Sequence, residues 1–152
     1  WGQINSGGMM DMFWWSTETI KPEVYNIFLT YRNFMEGIPL TNGRYKDIGA
    51  TTSHADLRVF GQRDDTAGRM HLWVQNAQHT WKRVVSGQSV AAINGTVTIP
   101  NVATGSYRVE WWNTYNTSNP VIKTETINSN GSLTLTLPSG LSDDIAVKIT
   151  KN

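Results

Sequence analysis

Cysteine is missing from the 152-residue sequence, which excludes disulfide frameworks, thiolate metal sites and thiol catalysis. Histidine is nearly so. Only His54, His71 and His79 are present, too few for a histidine-built metal site. Charge is scarce as well, at 16% of residues against about a quarter in an average protein. Thirteen basic and twelve acidic side chains leave a net charge of +1, so nothing marks a binder of nucleic-acid phosphates or anionic membrane. No apolar run approaches the roughly 18 residues of a membrane span. The length is that of one domain and is enough for a real core. The sequence begins at Trp1 with neither an initiator Met nor a signal peptide, and reads as cut from something longer. What it holds in plenty is seven Trp, five Tyr and many Thr, Asn and Ser. That balance suits a secreted, extracellular β-protein meeting neutral, hydroxyl-rich ligands.

Two halves differ in composition. Residues 1–48 carry Met9, Met10, Met12 and Met35 and one convincing helix, expected over 22–36. Pro22 fits its first position, Gly37 its left-handed C′ position, and Pro39 prevents resumption. Val24, Ile27, Phe28, Tyr31 and Met35 form an apolar stripe expected to dock on a neighbouring surface. The apolar run 10–15 reads as a buried strand. Residues 49–53 are small and polar, a joint between the segment 1–48 and a second segment, 54–152. There, strand signals fall at 56–61, 70–75, 82–85, 96–99, 107–112, 121–127, 133–137 and 145–149, with 82–85 or 96–99 irregular. Turn residues separate them, including Asn94-Gly95, Thr104-Gly105 and Asn130-Gly131. Short strands at this spacing predict a mainly β protein, an antiparallel immunoglobulin-like β-sandwich.

No catalytic constellation is visible. Asp64-Asp65 and Asp143-Asp144 read as solvated turns, with a structural calcium site as the alternative. No other cofactor is expected. Glycoside hydrolysis needs two acids converging across a cleft, and nothing places two on facing elements. The three histidines read as surface residues, with His71 facing outward from its strand.

The aromatics say more. In 107–112, Tyr107, Val109 and Trp111 share the apolar face, so Trp112 is expected outward beside Arg108 and Glu110. In 70–75, Met70, Leu72 and Val74 face the core, leaving Trp73 opposite. An exposed indole beside polar side chains grips a sugar by stacking on its C–H face. Covering ~80 Å² of ring contributes about 2 kcal/mol. Trp112, Tyr115, Trp73 and Trp81 are the candidate carbohydrate-binding residues, with no catalytic residue and no metal ligand among them.

The start of the chain, Trp1-Gly-Gln-Ile-Asn-Ser-Gly-Gly, then Met12-Phe-Trp-Trp and a helix ending Tyr31-Arg-Asn-Phe34, resembles the end of the catalytic (β/α)8 barrel in family 5-like glycoside hydrolases of clan A. The rest, with Leu57-Arg-Val-Phe-Gly61, Leu72-Trp-Val-Gln-Asn76, Thr80-Trp81 and Gly105-Ser-Tyr-Arg-Val-Glu-Trp-Trp112, resembles the β-sandwich appended to such barrels. The resemblance implies that Trp14 or Trp15 stacks on sugar in a barrel. The barrel's acid and nucleophile would lie on strands absent here, so the chain alone is expected not to be an enzyme. Three functions compete. One is a non-catalytic carbohydrate-binding accessory module of a secreted, cellulase-like polysaccharide hydrolase, with a β-glucan-type polysaccharide as partner. Another is a fragment that completes a barrel active site with another chain. The third is a structural buttress.

Overall fold

The computed structural model describes Trp1, Ile4 and residues 22–152, with side chains at Trp1, Ile4 and from 25 onward. The expected strand at 10–15 lies outside the described residues. Helix α1 (Pro22–Met35) is followed by a 3-10 turn (Leu40–Asn42) and strands β1 (Lys46–Asp47), β2 (Thr51–Thr52), β3 (Leu57–Asp64) and β4 (Arg69–Asn76). A short helix α2 (Trp81–Val85) precedes β5 (Thr96–Trp112), β6 (Val121–Thr136) and β7 (Asp144–Lys151). All pairings are antiparallel, in the order β1-β3-β4-β7-β5-β2, with β6 on β5. The joint expected at 49–53 contains β2, whose Thr51 and Thr52 pair with Thr98 and Val97.

The sandwich comes from bending the long β5–β6 hairpin. Residues 96–99 of β5 pair with 133–136 of β6, and 107–111 pair with 123–127. Between them the register shifts at Pro100/Val102 and Val102/Gly105. Asn101 takes a φ of 54°, Gly105 146° and Gly131 112°, conformations that suit a bulge. The turns expected at Thr104-Gly105 and Asn130-Gly131 are therefore kinks inside continuous strands. Four predicted strands become two. The Tyr107 hydroxyl ties the kink by donating to the Ala103 carbonyl at 2.9 Å.

Leu72, Val74, Val97, Ile99, Tyr107, Val109, Trp111, Leu133, Leu135, Val147 and Ile149 fill the interior. Strict alternation put these side chains on one face, as the sequence predicts. The Trp111 indole N–H, inside the core, donates to Glu125 at 2.7 Å.

The opposite face of β4, β7 and β5 is also covered. Phe34, fully buried, packs there with Ile4, Trp112 and Ala146, and Trp1, Met35, Ile38, Phe60 and Trp73 surround them. The docking stripe of α1 differs from the one expected. Thr30 and Phe34 are buried, Ile27, Tyr31 and Met35 are half-buried, and Phe28 is 40% exposed. The side chain of Val24 lies outside the described ones. Thr30 disguised this face in sequence. Its hydroxyl donates back to the Asn26 carbonyl at 3.0 Å, so it needs no other partner when buried.

The link from α1 to the sheet is held by charge. Asp64, fully buried, takes the Arg44 guanidinium at 2.9 Å, the Asn42 amide at 3.0 Å and the Ala67 N–H at 3.1 Å. Asp65 pairs with Lys46 at 2.6 Å and Arg63 at 2.5 Å. The solvated-turn reading of Asp64 is thus corrected. Hydrogen bonds from Ala67, Arg44 and Asn42 hold its carboxyl below the usual Asp range despite burial.

Candidate functional site

The predicted aromatic candidates separate into a covered group and an exposed one. Trp112 is 8% exposed, which corrects the expectation that it faces solvent. Alternation did put it on the face opposite Trp111. That face is covered by α1. Phe34 meets its ring edge to face at 5.5 Å, and the Lys148 ammonium lies 5.0 Å from its centroid. Its Nε1 donates to Glu110 at 3.2 Å. Trp73 shares this face and is half-buried, stacked on Phe60 at 5.7 Å. Ala146 stands between the two tryptophans, paired with Trp73 on one side and Trp112 on the other. The aromatic face read from the sequence exists, and it seats Trp1, Ile4 and α1. Trp14 and Trp15 lie outside the described residues.

His71 follows the same logic. It points away from Leu72 as predicted, yet is 1% exposed instead of lying at the surface. Neither ring nitrogen finds a partner of ordinary geometry among the described residues. Burial pushes its pKa down to about 4, against the Ile4 carbonyl, which favours the proton.

The exposed group lies at one end of the sandwich. There β4 ends, β3 and β7 begin, and β5 hands over to the 113–120 loop, because Leu57 pairs with Asn76, Gln75 with Asp144 and Trp112 with Ala146. Buried Asn76 organises this end. Its amide donates to the Ala91 and Leu141 carbonyls, each at 3.0 Å, and its Oδ1 accepts the Gln78 N–H at 2.9 Å. Nothing in the sequence singled out Asn76, since an Asn at a strand end reads as a turn residue.

Directly after this post stands α2, where a strand was expected at 82–85. Thr80 caps it, its hydroxyl accepting the Arg83 N–H at 3.3 Å. The helical repeat puts Trp81, Val84 and Val85 on one side, where they are 80%, 52% and 66% exposed. Arg83 projects from the opposite side and is half-buried. It lines an open groove of about 330 Å³ together with His54, Asp56, Gln78, Asn94 and residues 91–93. Trp81 does not line the groove; it stands on the outer side of the helix that forms one wall.

Tyr115 belongs to the 113–120 loop at the same end and is 48% exposed. Its hydroxyl lies 3.5 Å from Asp144, whose other oxygen accepts the Thr114 hydroxyl. Burial, with the charges of Asp144 and Asp143, pushes the Tyr115 phenol up to about 12. Asp144 is held above the usual range by burial, against the Thr114 hydrogen bond, with Asp143 adding to the upward push. No cluster of three or more potential metal ligands occurs among the described residues.

No protein-family model and no curated protein matches the sequence. A solved structure described as a glycoside hydrolase is similar over 81% of this chain, with TM-score 0.43 and 12% identity. The match covers 24% of that protein, so this chain spans about a quarter of its length. A likeness that weak carries no weight for ligand or activity.

Proposed function

We propose that the chain is a non-catalytic carbohydrate-binding accessory module of a secreted polysaccharide-degrading glycoside hydrolase, and that it holds a β-linked, glucan-type polysaccharide at the α2 end of the sandwich. The observation that carries this reading is Trp81, an indole left 80% exposed on a helix that walls a polar groove. A large exposed apolar ring offers the C–H face of a pyranose a stacking surface, and the groove on the other side of α2 offers hydrogen-bonding side chains to a neighbouring ring of the same polymer. Tyr115, at the same end, offers a second half-exposed ring. Trp73 and Trp112 leave the platform, because Trp1, Ile4 and α1 occupy their face.

Native gels cast with soluble β-glucan test this. The wild type is expected to be retarded, and Trp81→Ala to run as in a glucan-free gel. Equal mobility of the wild type in both gels would overturn the proposal. No reducing sugar is expected from pure protein with the same glucans, since no described acid pair converges on a cleft.

The structural buttress is the second reading, and a specific observation favours it. Aromatic area on the outer sheet face is used to seat Trp1, Ile4 and α1. The two readings are compatible on different faces, and the gel tests the first.

A further inference from the structure

Two of the described arginines, Arg63 and Arg83, are not exposed, and they are treated very differently. Arg63 donates from all three of its guanidinium nitrogens, to Asp65 at 2.5 Å, the Pro100 carbonyl at 2.7 Å and the Asn101 carbonyl at 2.6 Å. The guanidinium of Arg83 receives no hydrogen bond acceptor and no ion pair from any described residue. Its fork of five donors faces an open groove, where no protein acceptor competes with a ligand for it. A ligand carboxylate there would make two parallel charge-assisted hydrogen bonds.

The groove's other groups define that ligand. Asp56 lines the same space yet forms no ion pair with Arg83. One of its oxygens takes the Gln78 amide at 2.8 Å, and the other has no described partner. His54 accepts the Asp56 N–H on Nδ1 at 3.1 Å, so its neutral ring carries a proton on Nε2 as a further donor. Opposite charges that line one groove without meeting leave room for a ligand between them. The occupant must offer hydroxyl donors to Asp56 and an anionic acceptor to Arg83. A volume of about 330 Å³ is at the small end of ligand sites, ~300–1,000 Å³, the scale of one or two sugar rings.

We infer that the groove binds an anionic sugar ring, a hexuronate within the β-linked polymer, with Arg83 clasping its carboxylate and Asp56 taking its ring hydroxyls. The planar guanidinium matches a carboxylate in two parallel hydrogen bonds, which a neutral hexose cannot provide. A sulfate ester presents a similar anion. Asp56 works against ligands carrying more than one charge per ring, which keeps phosphates and nucleic acids out. This assignment rests on the carbohydrate-binding reading above and adds the class of ring that the site selects.

The test is isothermal titration of the intact chain at low salt with three probes of equal length: a neutral cello-oligosaccharide, a β-linked oligoglucuronate and a sulfated cello-oligosaccharide. The oligoglucuronate is expected to bind about tenfold tighter than the neutral probe, as one charge-assisted pair provides. Arg83→Gln should bring the acidic-to-neutral ratio close to one, and Arg83→Lys should keep part of it, because charge survives while the fork is lost. The Arg83 guanidinium makes no hydrogen bond or ion pair with any described residue, so both variants should fold. Equal affinity of the wild type for neutral and acidic probes overturns this inference alone. An acidic preference that persists in Arg83→Gln also overturns it. Preference for the sulfated probe over the oligoglucuronate overturns the carboxylate and assigns the anion to a sulfate ester. Absence of binding to all three overturns the carbohydrate reading and this inference together.

Discussion

Phe34 and Trp112 meet edge to face, their ring centroids 5.5 Å apart and their planes at 87°. The Lys148 ammonium sits over both rings, 5.3 Å from the first and 5.0 Å from the second, and donates to the Glu36 carbonyl at the end of α1. One cation thus joins β7, β5 and the helix C-terminus, where positive charge is favoured. Because Phe34 is fully buried here, Phe34→Ala should destabilise the fold by about 3–5 kcal/mol in urea unfolding. Phe28→Ala, on the exposed side of the same helix, should cost about 1 kcal/mol or less. Reversed magnitudes would mean that α1 docks by the stripe that its sequence suggests.

Asp64 and Asp144 should give opposite pH responses. Asp64 has its folded pKa lowered, so its contribution is present above the unfolded value of about 3.9 and is lost as pH falls through the folded one. Asp144 has its folded pKa raised, so its contribution is complete at low pH and is lost as pH rises through the folded value. Asp64→Asn should therefore fall progressively behind the wild type as pH rises from about 3 to 7, while Asp144→Asn gains on it. Unfolding midpoints across that range check both signs, and parallel curves would remove the titration from the account.

His71 should titrate near 4, well below the ordinary 6.5, because its ring is buried beside Tyr45 and Ile4, where the charged form is disfavoured. The unfolded chain binds the extra proton between those values, so stability should rise with pH across them. The full change is on the order of 3 kcal/mol. Imidazole proton shifts that move at pH 6.5 would show that the ring is open to water.

The sandwich was legible where one physical rule acts alone. Alternation assigned Tyr107, Val109, Trp111, Met70, Leu72 and Val74 to the core, and capping residues placed α1 within a residue or two of its ends. It failed where a second rule intervened. Gly105 and Gly131 read as turns because glycine signals positive φ, and a bulge in a bent strand needs the same freedom. The 82–85 run has β-branched residues, but the Thr80 cap and tertiary position made it helical. Trp112 was given the correct face and the wrong exposure, since alternation says which side of a sheet a residue takes and nothing about what lies on that side. For the candidate site, Trp81 was one of four candidate rings, and the alternation that ranked Trp112 and Trp73 said nothing of its exposure. The groove was not legible, because His54, Asp56, Gln78, Arg83 and Asn94 come from separate turns that only the closed sheet brings together.

On the proposed carbohydrate-binding function Trp81 is the stacking surface, and titration of soluble β-glucan oligosaccharides into wild type and Trp81→Ala tests this most directly. Loss of one stacked ring removes about 2 kcal/mol, so binding should weaken roughly 30-fold. The fold should be unaffected, because Trp81 is 80% exposed. Undiminished affinity in a folded Trp81→Ala protein would contradict the account.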